Sequence, residues 1–331
     1  MIKLLRADLY RMFKSRKIYI FIGLAVMLSI FMALIQTHDT GLFRSGRLIE
    51  DVQAEYMNNN GDSAFEIRGI GNYIIESGLI ILFLSSIFIS VFAGKYFDNG
   101  TLRNITVSGH RKETIFFSVF LLNLISTTLI TLSFLISTVV YVLACGLHPV
   151  IWWPYILIML AVMFLLELSF TSLITCILFV LKKTVVAVIA TIVLFLVFLL
   201  APIVGYDTDA LMDYWQVNDV EMLLDEHRYE EYLISVVSFD DKDYMQYYIR
   251  ANGSSTRPAK TLDDLPLKAR AGITYIKCSP LSLFVEYNTF SLNPYVFVES
   301  GMALRNTITG FAWLILTPIA GVLLFRKTDI M

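Results

Sequence analysis

The sequence predicts an all-α polytopic membrane protein with six transmembrane helices and an extracytoplasmic domain between helices 5 and 6. Three observations carry this expectation. Six apolar runs each reach about twenty residues, the length a helix needs to cross the hydrocarbon core. Of 331 residues, 56% are hydrophobic and 16% charged, below the quarter or so typical of soluble domains. The charges are also sorted, with short segments between spans basic and long ones acidic.

The elements follow in chain order. Residues 1–17 open with a basic stretch whose Ile2, Leu5, Leu9, Met12 and Phe13 recur at helical spacing, an amphipathic helix. The run 18–36 is long enough to span and no Ala-x-Ala site follows it, so it is a retained first span rather than a cleaved signal. Further spans are expected at 73–93, 115–145, 151–181, 184–204 and 303–325. The third and fourth exceed one bilayer thickness and must tilt or project. Helices satisfy their own backbone groups in lipid, and no β-type alternation competes. Trp152, Trp153 and Tyr73 fall where interfacial aromatics belong. Pro202 and Pro318 lie in or near the last two spans and are expected to kink them.

Orientation follows from the basic residues. The segments 1–17, 93–113, 182–183 and 326–331 hold fourteen basic and four acidic residues. The opposite segments, 37–72 and 206–300, hold twenty-two acidic and eleven basic ones. Both termini are therefore expected in the cytoplasm, in a multi-pass protein of the cell membrane, bacterial by expectation.

The most informative segment is 93–113, Ala-Gly-Lys-Tyr-Phe-Asp-Asn-Gly-Thr-Leu-Arg-Asn-Ile-Thr-Val-Ser-Gly-His-Arg-Lys-Glu. An ordinary basic loop explains Lys95, Arg103, Arg111 and Lys112. It does not explain Gly100-Thr-Leu-Arg103, which opens a short helix that Asp98 or Asn99 could cap. Leu102 and Ile105 would then form an apolar face for a partner's groove, with Arg103 beside it for a carboxylate.

Gly100 to Arg103, with Arg111-Lys112 eight residues on, resembles the cytosolic coupling segment of type-2 ABC exporter permeases. The ending Gly321-Val-Leu-Leu-Phe-Arg-Lys-Thr-Asp-Ile330 is similar to the Phe-x-Lys-x-Asp endings of that family. Two departures stand out: no acid adjoins Lys95, and His110 replaces a commoner proline or serine. The resemblance implies that Asp98, Gly100, Thr101, Leu102, Arg103 and Arg111 couple the chain to a separate ATP-binding subunit. It implies a second permease copy or a sister permease, with residues 1–17 as a connecting helix beside the ATPase. A membrane-surface anchor is the plainer account of 1–17.

Glu167 lies near the centre of the fourth span, where an ionisable group costs several kcal/mol and must face the bundle or a water-filled path. It is a candidate for the translocation path; helix packing through a Ser or Thr is the plainer alternative. The outer segment 206–300 is too long for a bare loop and is expected to fold as a small α-rich or mixed domain. Asp207, Asp209 and Asp213 lack the Gly and terminal Glu of an EF-hand loop. Tyr244, Tyr247, Tyr248, Tyr275, Tyr287 and Tyr295 offer stacking faces or core packing. Asn252-Gly-Ser254 matches a glycosylation sequon. Cys145, Cys176 and Cys278 show no metal-ligand spacing, and a bridge between Cys145 and Cys278 is conceivable on the outer side.

No phosphate loop, His-Glu-x2-His or Gly-x-Ser-x-Gly occurs. The expectation is a permease without its own catalytic, cofactor or metal site, with ATP in the partner subunit. Its substrate is a peptide, drug or lipid-like molecule; its surroundings are the bilayer, and no nucleic acid is bound. The alternative is a membrane sensor or scaffold whose outer domain binds a ligand. A polytopic enzyme using Glu167 with His148 or His38 is the third option.

Overall fold

A computed structural model describes residues 1–39, 43–45, 64–144, 147–149, 153–205, 267–281, 297–298 and 301–327. Helix α1 (Ile2–Lys14) ends at Ser15, whose extended backbone (ψ 128°) redirects the chain into α2 (Arg16–Asp39). The Ser15 hydroxyl accepts the Lys17 N–H at 3.3 Å and so satisfies one orphan donor of α2. Helix α3 (Ala64–Asp98) is followed by short α4 (Thr101–Val107) and then α5 (Lys112–Ala144). Helices α6 (Trp153–Leu181) and α7 (Thr184–Gly205) follow, then α8 (Leu267–Cys278) and α9 (Met302–Lys327). Two three-residue strands, β1 (Phe43–Ser45) and β2 (Leu147–Pro149), pair antiparallel with Arg44 opposite His148.

Among the described residues, five stretches are long and apolar enough to cross a membrane: Arg16–Leu34, Ser77–Asp98, Lys112–Tyr141, Ile156–Leu181 and Met302–Lys327. Apart from that one short strand pair, the described chain is thus a helical, multi-pass membrane protein. In α7 the apolar stretch covers Thr184–Phe198, shorter than these five. At 35 and 33 residues, α3 and α5 are each about 50 Å long and outreach a bilayer of about 30 Å.

Lipid tails are as apolar as leucine, so packing detail and hydrogen bonds must hold the bundle together. Helix α6 is its hub, touching α3, α5, α7 and most extensively α9. Two glycines of α9 permit close approach, Gly310 to α6 and Gly321 to α5. A Cβ on Gly310 would meet Leu165 Cγ at 2.9 Å, and one on Gly321 would meet Phe116 Cζ at 2.6 Å. The Ser169 hydroxyl donates to the Gly310 carbonyl at 2.8 Å, and Ser172 bonds Thr317. Phe179 stands at a four-helix junction, with ring centroids 4.8 Å from both Phe116 and Phe325 and 5.3 Å from Phe97. Helix α9 runs on through Pro318, as neighbouring helices in membranes allow.

Helix α8 is built onto the spans. Its Tyr275 stacks on Phe198 at 6.0 Å, and its last carbonyls, Lys277 and Cys278, accept from Thr309 (3.0 Å) and Trp313 Nε1 (2.7 Å). Those carbonyls are the orphans a helix end must satisfy. Leu281 and Phe297 are buried as well. Helix α8 therefore packs against both α7 and α9. Asp207, Asp209, Asp213, the sequon, the remaining tyrosines, Trp152 and Cys145 lie outside the described residues. Of the other cysteines, Cys176 is buried and Cys278 exposed, both free.

Candidate functional site

The four basic segments meet at one end of the bundle. Arg326 at the end of α9 pairs with Glu113 in the first turn of α5, and Lys112 donates to the Arg326 carbonyl at 3.2 Å. Arg11 of α1 lies over the Tyr96 ring of α3, 5.1 Å from its centroid. Asp98, at the end of α3, accepts the Thr184 N–H at 3.3 Å. Its carboxylate therefore caps α7, eighty-six positions away, and not α4 as expected from sequence. The expected cap fails because Gly100, in the left-handed region at φ 63°, fills the position with no side-chain bond to α4.

The α3–α7 contact has no slack. A Cβ on Gly94 would stand 2.4 Å from Thr184 Oγ1 and 3.0 Å from Thr184 Cα. Gly94→Ala is expected to destabilise the protein by about 1–3 kcal/mol, the range for overpacking. Thermal unfolding in detergent checks this, and an unchanged midpoint would mean that the junction yields freely.

The orientation of α4 differs from the expectation. Leu102 is only 2% exposed and turns into the chain's own core, with Ile105 packed against that core. Leu102 is thereby withdrawn from the outer face, while Ile105 keeps part of its surface exposed. A seven-residue helix has few contacts of its own, so it turns its longest aliphatic side chain inward, where burial is worth about 2 kcal/mol. What α4 offers outward is Arg103, Asn104 and Val107, the last 81% exposed, followed by exposed His110 and Arg111. Thr101 is half-buried. Gly100 and, at φ 89°, Gly109 make the turns at either end, both in the left-handed region that glycine tolerates best. The result is a short helix latched by one leucine and presenting a mixed basic and apolar face.

Beside it, α1 is fixed by a residue that sequence reasoning passed over. Asp8 is 1% exposed between α1, α3 and α5 and accepts a hydrogen bond from Ser118 Oγ at 3.1 Å. Burial raises its pKa above the usual carboxylate range, against the lowering influence of Tyr96, Ser118 and Arg11. The expected apolar face of α1 is only partly used: Met12 is buried and Leu5 and Leu9 pack inward, while Ile2 and Phe13 face out. A lone aspartate on an otherwise apolar face was the available signal.

Glu167 is 1% exposed and takes part in a ladder between antiparallel α5 and α6. Thr131 donates to Glu167 Oε2 at 2.7 Å, Thr127 and Thr171 bond at 2.9 Å, and Asn123 Nδ2 donates to Thr175 at 2.9 Å. The ladder ends in two unpaired acceptors among the described residues, Glu167 Oε1 and Asn123 Oδ1. Spacing alone could have shown it, since Asn123, Thr127 and Thr131 recur every fourth residue, as do Glu167, Thr171 and Thr175. The described residues contain no group of three or more potential metal ligands. Compared with family models, curated proteins and solved structures, the chain finds no match.

Proposed function

We propose that the chain is the permease subunit of an ATP-driven exporter of the type-2 ABC class. The observation that supports this best is α4, a latched helix between two membrane-length helices that turns Arg103, Asn104 and Val107 outward at the basic end. A separate ATP-binding subunit docks on that face, with Arg103 meeting a carboxylate and Val107 a small apolar recess. Asp98, Gly100, Thr101, Leu102 and Arg111 hold the face in place rather than forming all of it.

ATP is bound and hydrolysed by the partner. A push on α4 passes through Leu102 into the core and through the α3 end, by Asp98, to α7. In this proposal α7 is the fifth of six spans, both termini are cytoplasmic, and a second permease copy or sister permease completes the path. Rocking of these units alternates access to the two sides. The substrate is an amphipathic peptide, with drugs and lipid-like molecules as the other classes.

Purification of the tagged chain from its native host in mild detergent tests the proposal. ATP-binding subunits are expected to copurify, and Arg103→Glu with Val107→Asp is expected to cut their yield at least tenfold. Both side chains are exposed, so the variant should elute as the wild type does. A well-folded chain that copurifies with no nucleotide-hydrolysing protein would sink the proposal and leave the sensor or scaffold.

A further inference from the structure

Helix α1 carries one acid among its cations, and the fold buries it. Asp8 is 1% exposed at the junction of α1 with α3 and α5. Among the described residues its hydrogen-bond donor is Ser118 of α5, with Oγ 3.1 Å from Asp8 Oδ2, and it makes no ion pair. The titratable and charged groups that face it are Tyr96, from α3, and Arg11, from its own helix. The Tyr96 hydroxyl is buried without completing a hydrogen bond among the described residues. The Arg11 guanidinium lies over the Tyr96 ring, 5.1 Å from its centroid, rather than on the carboxylate. A carboxylate placed here exchanges water for one hydroxyl, and burying the charged form costs far more than burying the neutral acid.

The rest of the α1 contact is modest and separable. Met12 is fully buried and Leu4, Leu5 and Leu9 pack against the core, while Ile2, Tyr10 and Phe13 stay exposed. The backbone is extended at Ser15, which breaks the helix between α1 and α2. Helix α1 accordingly meets the bundle more through α5 than through α2. A short helix joined at one break and held by a few side chains opens at a fraction of the cost of global unfolding.

We propose that Asp8 makes α1 a proton-sensitive clasp, closed on α3 and α5 when its carboxyl is neutral and swinging away about Ser15 when it is charged. The direction follows from burial, which raises the Asp8 pKa from its ordinary 3.8 against the opposing influence of Tyr96, Ser118 and Arg11. Release of α1 returns Asp8 to water and to its ordinary pKa. Closure is therefore strongest below that ordinary value, weakens as pH rises through the raised one, and levels off above it. Between the two values the ratio of open to closed rises by up to about tenfold per pH unit. Opening uncovers Met12, Tyr96 and Ser118 at the basic end of the bundle. The device lies wholly in the α1–α3–α5 junction, so it holds whatever the chain transports or docks.

Amide hydrogen exchange of the full chain in detergent, from about pH 4 to about pH 8 and corrected for the intrinsic pH dependence of exchange, measures the opening of α1. In the wild type, protection of α1 is expected to fall by about fivefold or more over that range, while α5 and α6 keep theirs. Asp8→Asn keeps the shape and an acceptor for Ser118 but has no proton to lose. It is expected to hold α1 near the wild-type acid level at every pH. Ser118→Ala removes a hydroxyl that favours the charged form, so the fall should extend to higher pH with little change in acid. A flat wild-type profile, or one that tightens as pH rises, would overturn the proposal. An Asp8→Asn profile as steep as the wild type would assign the titration to another group and overturn it too. Protection lost equally by α5 and α6 would mean global unfolding rather than a clasp. Where Asp8→Asn fails to fold, an unshifted Ser118→Ala profile is the result that refutes the role of this junction.

Discussion

Thr131→Val is expected to destabilise the helix bundle by about 2 kcal/mol, more than most single changes at the α5–α6 contact. The change keeps shape and volume but removes the one donor to Glu167, whose other oxygen already has no partner among the described residues. A buried polar group stripped of its hydrogen bond costs about 1–3 kcal/mol, and more where it carries charge. Interhelical hydrogen bonds in membranes are individually worth about 0.6–2 kcal/mol. The loss should therefore exceed the bond itself. Combining Thr131→Val with Glu167→Leu removes donor and acceptor together and should restore most of the stability. Glu167→Gln, which keeps one acceptor for Thr131, should cost under about 1 kcal/mol. A double-mutant cycle on unfolding midpoints in detergent measures these values. A double variant less stable than either single one would show that Glu167 does not depend on Thr131. The cycle also separates roles: a Glu167→Gln variant of normal stability that has lost transport would place Glu167 in the path after all.

The long elements were legible because hydropathy and helix length are properties of local sequence. The residues 115–145 and 151–181 foretold α5 and α6 closely, and the run Gly100 to Arg103 foretold the short helix α4. What stayed hidden depends on partners distant in the chain. Asp98 looks like a cap for the helix two residues on, yet α3 ends against Thr184 and the carboxylate serves that helix instead. Asp8 reads as a defect in an amphipathic pattern until Ser118 is brought to it from position 118. The ladder is intermediate. Its two rows show in sequence as polar residues four apart, but only the antiparallel register of α5 on α6 sets Asn123 against Thr175 and Thr131 against Glu167. Leu102 and Val107 show the same limit on one short helix: both are apolar, both lie on α4, and only packing decides which one is core.

That difference between Leu102 and Val107 gives the other large expected effect. Leu102→Asp should release α4, because a carboxylate in place of a side chain 2% exposed cannot stay in the core. The cost is capped by local opening, since a seven-residue helix held by one leucine can swing out without unfolding the spans. Losing the burial of that side chain, about 2 kcal/mol, corresponds to roughly thirtyfold faster amide exchange across residues 100–109. The unfolding midpoint should move little. Val107→Asp touches only the exposed side, so exchange and midpoint should both match wild type. The two variants should nevertheless share one outcome, loss of the copurifying ATP-binding subunit, for different reasons: one removes the platform and the other spoils its face. Unchanged exchange in Leu102→Asp would refute the latch. Retention of the subunit by Val107→Asp but not by Leu102→Asp would move the docking surface off the outer face of α4, toward Arg111 and the start of α5.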